Sequence, residues 1–260
     1  MLKILKYSFY DLIRSRWSYV YFLFYLAFGF VLLFLNNDVS KAVITLMNVI
    51  IVLVPLIGTI FGVMYYYNSR EFTELLLAQP IKRSSIFLGQ YFGVAGSLTL
   101  SLVLGLGIPF VLYGLFRSNA IFDFSLLLVT GAFLTLIFVG LSFVIAIFNE
   151  NKIKGFGYAV LLWLFLAVVY DGLFLMSLIV FEEYPLDTFS LVATALNPID
   201  LSRILILLKL DISALLGYTG AIFKKFFGTD IGFLISIAIL ILWTILPILA
   251  LDHKARKKDF

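Results

Sequence analysis

Six stretches of this 260-residue chain run for 21 residues or more with at most one charged side chain, and no other feature restricts the fold as tightly. They cover 17–37, 42–69, 84–116, 124–149, 155–181 and 231–251, and only the fifth is interrupted, by Asp171. About 20 apolar residues in a helix cross the hydrocarbon core of a bilayer, where every backbone polar group must be paired within the segment. Composition agrees: 63% of the residues are hydrophobic, against roughly 45–50% in soluble domains. The pattern predicts an all-α membrane protein, one transmembrane domain over 1–260, with six transmembrane helices near 17–37, 42–67, 86–116, 124–148, 156–181 and 231–251.

The net charge of +4 would suit nucleic acid, but the basic residues follow the membrane instead. With the N-terminus inside, segments 1–16, 68–85, 149–155 and 252–260 hold thirteen Lys and Arg, and the opposite segments hold six. The positive-inside rule then predicts a multi-pass protein with both termini cytoplasmic, and the inner (cytoplasmic) membrane is its expected location. Lys3, Lys6, Arg14 and Arg16 precede an apolar run too long for a signal peptide, with no Ala-x-Ala site after it, so a retained helix is expected.

Leu2, Leu5, Phe9 and Leu12 recur at helical spacing with Lys3, Lys6, Tyr10 and Arg14 on other faces. That pattern predicts an amphipathic interfacial helix at the N-terminus; an ordinary basic flank is the alternative. Gly58/Gly62 and Gly89/Gly93 are small-x-x-x-small pairs suited to close helix packing. Gly105, Gly107 and Pro109 suggest a kink or re-entry near 105–110. The extracytoplasmic segment 182–230 has charge-free runs of only 12 residues and is broken by Pro185 and Pro198. Leu201, Ile204, Leu205, Leu208, Ile212 and Leu215 predict one or two amphipathic helices at the outer surface or over the span ends.

Few groups are available for catalysis. There is no cysteine, and the one histidine, His253, sits in a charged C-terminal tail. Asp171 lacks the second aspartate that an intramembrane aspartyl protease requires, since Asp230 of Gly228-Thr229-Asp230 lies at a span boundary. No Gly-x4-Gly-Lys-Ser/Thr motif occurs, so no enzyme is expected here and any nucleotide chemistry must come from another chain. Asp171 has two open readings: a pore-lining or substrate-facing acid, or a packing acid that hydrogen-bonds between helices or snorkels outward.

One cytoplasmic stretch, 70–83, has a different character. Phe72, Leu75, Leu76 and Gln79 share a helical face, Glu71 and Glu74 lie toward the positive helix N-terminus, and Gln79-Pro80 stops the helix. A helix over 70–80 with an apolar face in water marks a partner surface.

A glutamate-led short helix ending in Leu-Leu-x-x-Pro, between spans two and three of six, resembles the coupling helix of ABC-2-type transporter permeases. The resemblance implies a type V exporter-like architecture, a permease homodimer and a separate ABC ATPase carrying ATP and Mg. Glu71, Phe72, Thr73, Glu74, Leu75, Gln79 and Pro80 would contact that ATPase, with the loop 149–155 as a lesser contact. Residues 197–228 and the Tyr170–Leu175 stretch are similar to the NosY group, permeases that serve copper-site maturation of nitrous oxide reductase. That implies a NosF-like ATPase and a NosD-like extracytoplasmic protein docked at Asn197, Pro198, Arg203, Lys209, Lys224 and Lys225. The spans offer only Met47, Met64 and Met176 as soft ligands, which disfavours a copper relay. A small sulfur-containing solute, or mechanical work on an outer partner, is expected instead. The alternatives are a secondary transporter or channel using Asp171, and a structural anchor for an outer protein.

Overall fold

In the computed structural model the described residues are 1–36, 39–118, 120–181, 184, 186–209, 223, 226 and 229–257. They form helices α1 (Leu2–Arg14), α2 (Arg16–Asn36), α3 (Val39–Asn68), α4 (Arg70–Leu77), α5 (Arg83–Leu112), α6 (Ile121–Phe148), α7 (Lys152–Leu164), α8 (Tyr170–Val180), α9 (Asp187–Ala195), α10 (Pro198–Lys209) and α11 (Asp230–Lys257). A π turn, Phe165–Val169, joins α7 to α8 into one span. Six helices are long and apolar enough to cross a membrane, as the charge-free runs predict.

Glycine decides how closely the helices approach. Gly58 and Gly62 of α3 face Thr135, Val139 and Ser142 of α6, and a Cβ on Gly62 would stand 3.3 Å from the Val139 backbone. Gly89 and Gly93 of α5 hold α1 rather than another span: a Cβ on Gly93 would meet Ser8 at 2.6 Å and the Leu5 carbonyl at 2.9 Å. α1 therefore turns Ile4, Ser8 and Leu12 inward, while Leu2 is exposed. The expected face of Leu2, Leu5, Phe9 and Leu12 is thus rotated, because the closest approach to α5 admits only a small side chain. At Pro109 the chain stays helical to Leu112, its ring packed against Gly29 of α2, so the expected re-entry does not occur there.

Loop contacts bring α1, α4, the 149–151 loop and the end of α11 to one face, called here the terminal face. Tyr67 donates to the Asn149 carbonyl at 2.6 Å, Lys152 donates to Asn68 at 2.9 Å, and Ser84 hydrogen-bonds Asp252.

Re-entry occurs on the opposite side, between α9 and α10, where the chain turns by 113°. The indole of Trp243, halfway along α11, donates to the Ala195 carbonyl at 3.0 Å. Asn197 donates to the carbonyl of Leu166, the midpoint of the fifth span, at 2.8 Å. The tip of the hairpin therefore reaches mid-span depth. α10 is buried around its circumference at Ile199, Leu201, Ile204, Leu205, Ile206 and Leu207. Of the two placements expected, at the outer surface or over the span ends, this burial rules out the first for α10, because a helix covered on all sides, with Asp200 paired to Arg203, is not an interfacial one. Of the helical positions expected in this segment, Ile212 and Leu215 lie outside the described residues, as do Lys224, Lys225 and the side chain of Lys209.

Candidate functional site

α4 begins one residue after α3 ends. Ser69 alone separates them; its N–H still bonds the Tyr65 carbonyl at 2.9 Å, and its own carbonyl accepts from the Thr73 N–H at 2.8 Å. The direction of the backbone changes here without a loose linker. Ser69 spends its hydroxyl on the Tyr65 carbonyl at 2.8 Å, so it tightens the end of α3 and does not cap α4. At its other end α4 stops after Leu77, where the Ala78 N–H bonds the Glu74 carbonyl. Pro80 disfavours further α-turns just beyond.

The inward face is polar and specific. Thr73 is buried; its hydroxyl donates to the Ser69 carbonyl at 2.8 Å and accepts from Gln90 Nε2 of α5 at 2.8 Å. Phe72 stacks on Tyr7 of α1, with ring centroids 4.5 Å apart. α4 is thereby tied to α1, α3 and α5 together, and a force on it reaches three helices. Glu71, Glu74, Leu75, Gln79 and Pro80 face outward. Leu75 is 69% exposed, whereas Leu76 and Leu77 are half-buried. Arg70 pairs with Glu74 at 2.9 Å on this outer face, an exposed pair of small energetic weight.

The structure therefore divides the seven residues assigned to partner contact. Five are outward, Phe72 lies at the edge against Tyr7, and Thr73 points inward with both of its hydrogen bonds internal. The 149–155 loop stands beside α4 because Tyr67 and Asn68 of α3 hold it, and Ile153 there is 83% exposed. Sequence reading missed Gln90 and Tyr7. A polar Gln beside Gly89 inside an uncharged run was the available signal, since such residues commonly bond across helices in lipid.

The hairpin carries a second constellation. Asp171 accepts from Arg203 Nη1 at 2.8 Å, and the same nitrogen lies 3.3 Å from Asp200. Asn197 donates to Asp200 at 2.7 Å and accepts from the Ile199 N–H at 3.1 Å, so it caps α10 with Pro198 in the first turn. The π turn preceding Asp171 presents the Leu166 carbonyl to Asn197. These bonds pin the hairpin tip to the fifth span. Of the two readings of Asp171, the geometry fits the packing acid. Asn197 and Pro198, expected to meet an outer partner, are buried inside the fold, because cap and tip bonds consume the Asn197 amide. Arg203 is likewise engaged by the two aspartates.

No group of three or more metal-ligating His, Cys, Asp or Glu side chains occurs among the described residues. No family model matches this chain, and no curated protein matches it.

Proposed function

We propose that this chain is the membrane subunit of an ABC-type transporter of the ABC-2 class, moved by a separate ATPase that grips α4. The observation that carries the reading is the two-sidedness of α4. One side is locked to α1, α3 and α5 through Tyr7, Ser69 and Gln90. The other presents Leu75, 69% exposed, among Glu71, Glu74 and Gln79. A helix serving only as a connector gains nothing from an exposed leucine, whereas a partner cleft does. ATP closure would push α4, and the push would enter the bundle through Tyr7 of α1, the end of α3 and Gln90 of α5. A homodimer fits this reading, because the fifth span has only 11% of its apolar window buried within one copy.

What the motion accomplishes on the far side follows the NosY-group resemblance. It is either export of a small solute or a shape change imposed on an extracytoplasmic partner in copper-site assembly. The secondary-transporter alternative loses support from the Asp171–Arg203 pair, since a carboxylate held by a guanidinium is poorly placed to exchange a proton or cation.

The test is co-expression with a nucleotide-hydrolysing ABC subunit. Glu71→Lys and Leu75→Asp alter only exposed positions, so both proteins should insert and fold normally. Loss of a central apolar anchor costs about 2 kcal/mol, roughly thirtyfold in affinity, so co-purification and ATPase stimulation should both fall by that order. Undiminished stimulation in both variants would refute the proposal.

A further inference from the structure

A cavity of about 420 Å³ opens where α1, α2 and α3 meet, away from both the outward side of α4 and the hairpin. Its volume lies in the usual range of small-molecule sites, roughly 300–1,000 Å³. Leu12, Ile60, Phe61 and Met64 give it an apolar wall; Asp11 and Tyr65 give it a polar one. Tyr65 is only 7% exposed, yet its hydroxyl has no hydrogen-bond partner. Ser8 and Asp11 are the polar side chains beside that hydroxyl. A buried orphan hydroxyl costs about 1–3 kcal/mol, so the site is better satisfied with an occupant that bonds it.

Position names the occupant. Tyr65 sits in the last turn of a membrane span, at its terminal-face end, and α1 packs lengthwise along residues 89–96 of α5. Trp17, which also lines the cavity, is 64% exposed at the start of α2, the level at which indoles settle among headgroups. The charges are mixed: Asp11 is an exposed carboxylate, and exposed Arg14 and Arg16 flank Ser15, which also lines the cavity. An anionic lipid would meet the arginines but be repelled by Asp11. A zwitterion with a hydrogen-donating cation satisfies both signs.

We propose that this cavity is a binding site for a phospholipid with a primary-amine headgroup, phosphatidylethanolamine. The ammonium donates to Asp11, the Tyr65 hydroxyl donates to a phosphate or ester oxygen, and the first acyl carbons lie on Leu12, Phe61 and Met64. Asn68 and Ser69, at the junction of α3 with α4, complete the lining, so the bound lipid buttresses the root of α4. The site stands whether or not α4 meets an ATPase.

The full chain, purified in mild detergent, is incubated with an equimolar mixture of phosphatidylethanolamine, phosphatidylcholine and phosphatidylglycerol bearing identical acyl chains, and retained lipid is read by native mass spectrometry. One charge-assisted hydrogen bond separates the first two lipids, so the expected enrichment of phosphatidylethanolamine is about tenfold. Asp11→Asn should abolish it, and Tyr65→Phe, which removes only the orphan oxygen, should lower total retention severalfold. Asp123→Asn, on α6 away from the cavity, should leave it intact. Equal retention of the amine and choline lipids, preference for phosphatidylglycerol, or enrichment that survives Asp11→Asn would overturn the assignment.

Discussion

Gln90 and Thr73 make the bond that fastens α4 to α5, and two substitutions that break it should behave oppositely. Gln90 is fully buried; its Nε2 reaches Thr73 at 2.8 Å, but its Oε1 has no partner. In Gln90→Leu one neutral hydrogen bond is lost, worth about 1 kcal/mol net, while an unpaired buried oxygen disappears, relieving about 1–3 kcal/mol. Leucine fills nearly the same space. The balance is zero to slightly favourable, so the midpoint of thermal unfolding should hold or rise. In Thr73→Val the Gln90 carboxamide is left with neither end paired, a loss of about 1–3 kcal/mol. For a chain of this size that lowers the midpoint by roughly 2–10 °C. The Thr73 N–H still bonds the Ser69 carbonyl at 2.8 Å, so the helix itself survives. The double variant removes both polar partners and should recover most of what Thr73→Val loses. Differential scanning fluorimetry in nanodiscs gives the midpoints. Hydrogen exchange over 70–77 should quicken in Gln90→Leu despite its unchanged midpoint, because the tether to α5 is gone. If Gln90→Leu falls as far as Thr73→Val, or the double variant is simply additive, the bond is not the isolated tether described here.

Two further outcomes rest on the same kind of accounting. Arg203→Met strands Asp171, 31% exposed, and Asp200, 8% exposed, together without their shared cation, which should cost about 3 kcal/mol, the low end of the 3–5 of a fully buried pair; pairing it with Asp171→Asn should restore much of the loss, read as thermal midpoint. Gly93→Leu places a branched side chain where Ser8 already stands 2.6 Å from a Cβ, so α1 should detach from α5 and proteolysis within 1–16 should accelerate, whereas Gly157→Leu, with open space around it, should leave the cleavage pattern unchanged.

Much of the bundle was legible because bilayer thickness is a one-dimensional constraint. A run of charge-free residues long enough to cross must be a helix, and each of the six expected spans has its helix. α4 was legible too, since Pro80 and the flanking charges bound it; only its end shifted, from 80 back to Leu77. The hairpin was misplaced for the converse reason. Its runs of 12 residues are too short to cross, and a half-depth segment has the same composition as a surface helix. The Asn-Pro-x-Asp sequence at 197–200 encoded the cap, but nothing local shows that the cap sits at mid-membrane depth.

Chain chemistry alone determined that the protein is helical, that six of its helices are apolar enough to cross a membrane, and that one short amphipathic helix follows the second of them, because desolvation of charge and backbone depends on residue type. Only the folded arrangement decided which side of that helix faces inward, that Asp171 is matched by Arg203 from a segment 32 residues away, and that Gly93 receives Ser8. Those outcomes depend on which surfaces meet, and a helix's periodicity specifies its faces without naming the neighbour each will touch.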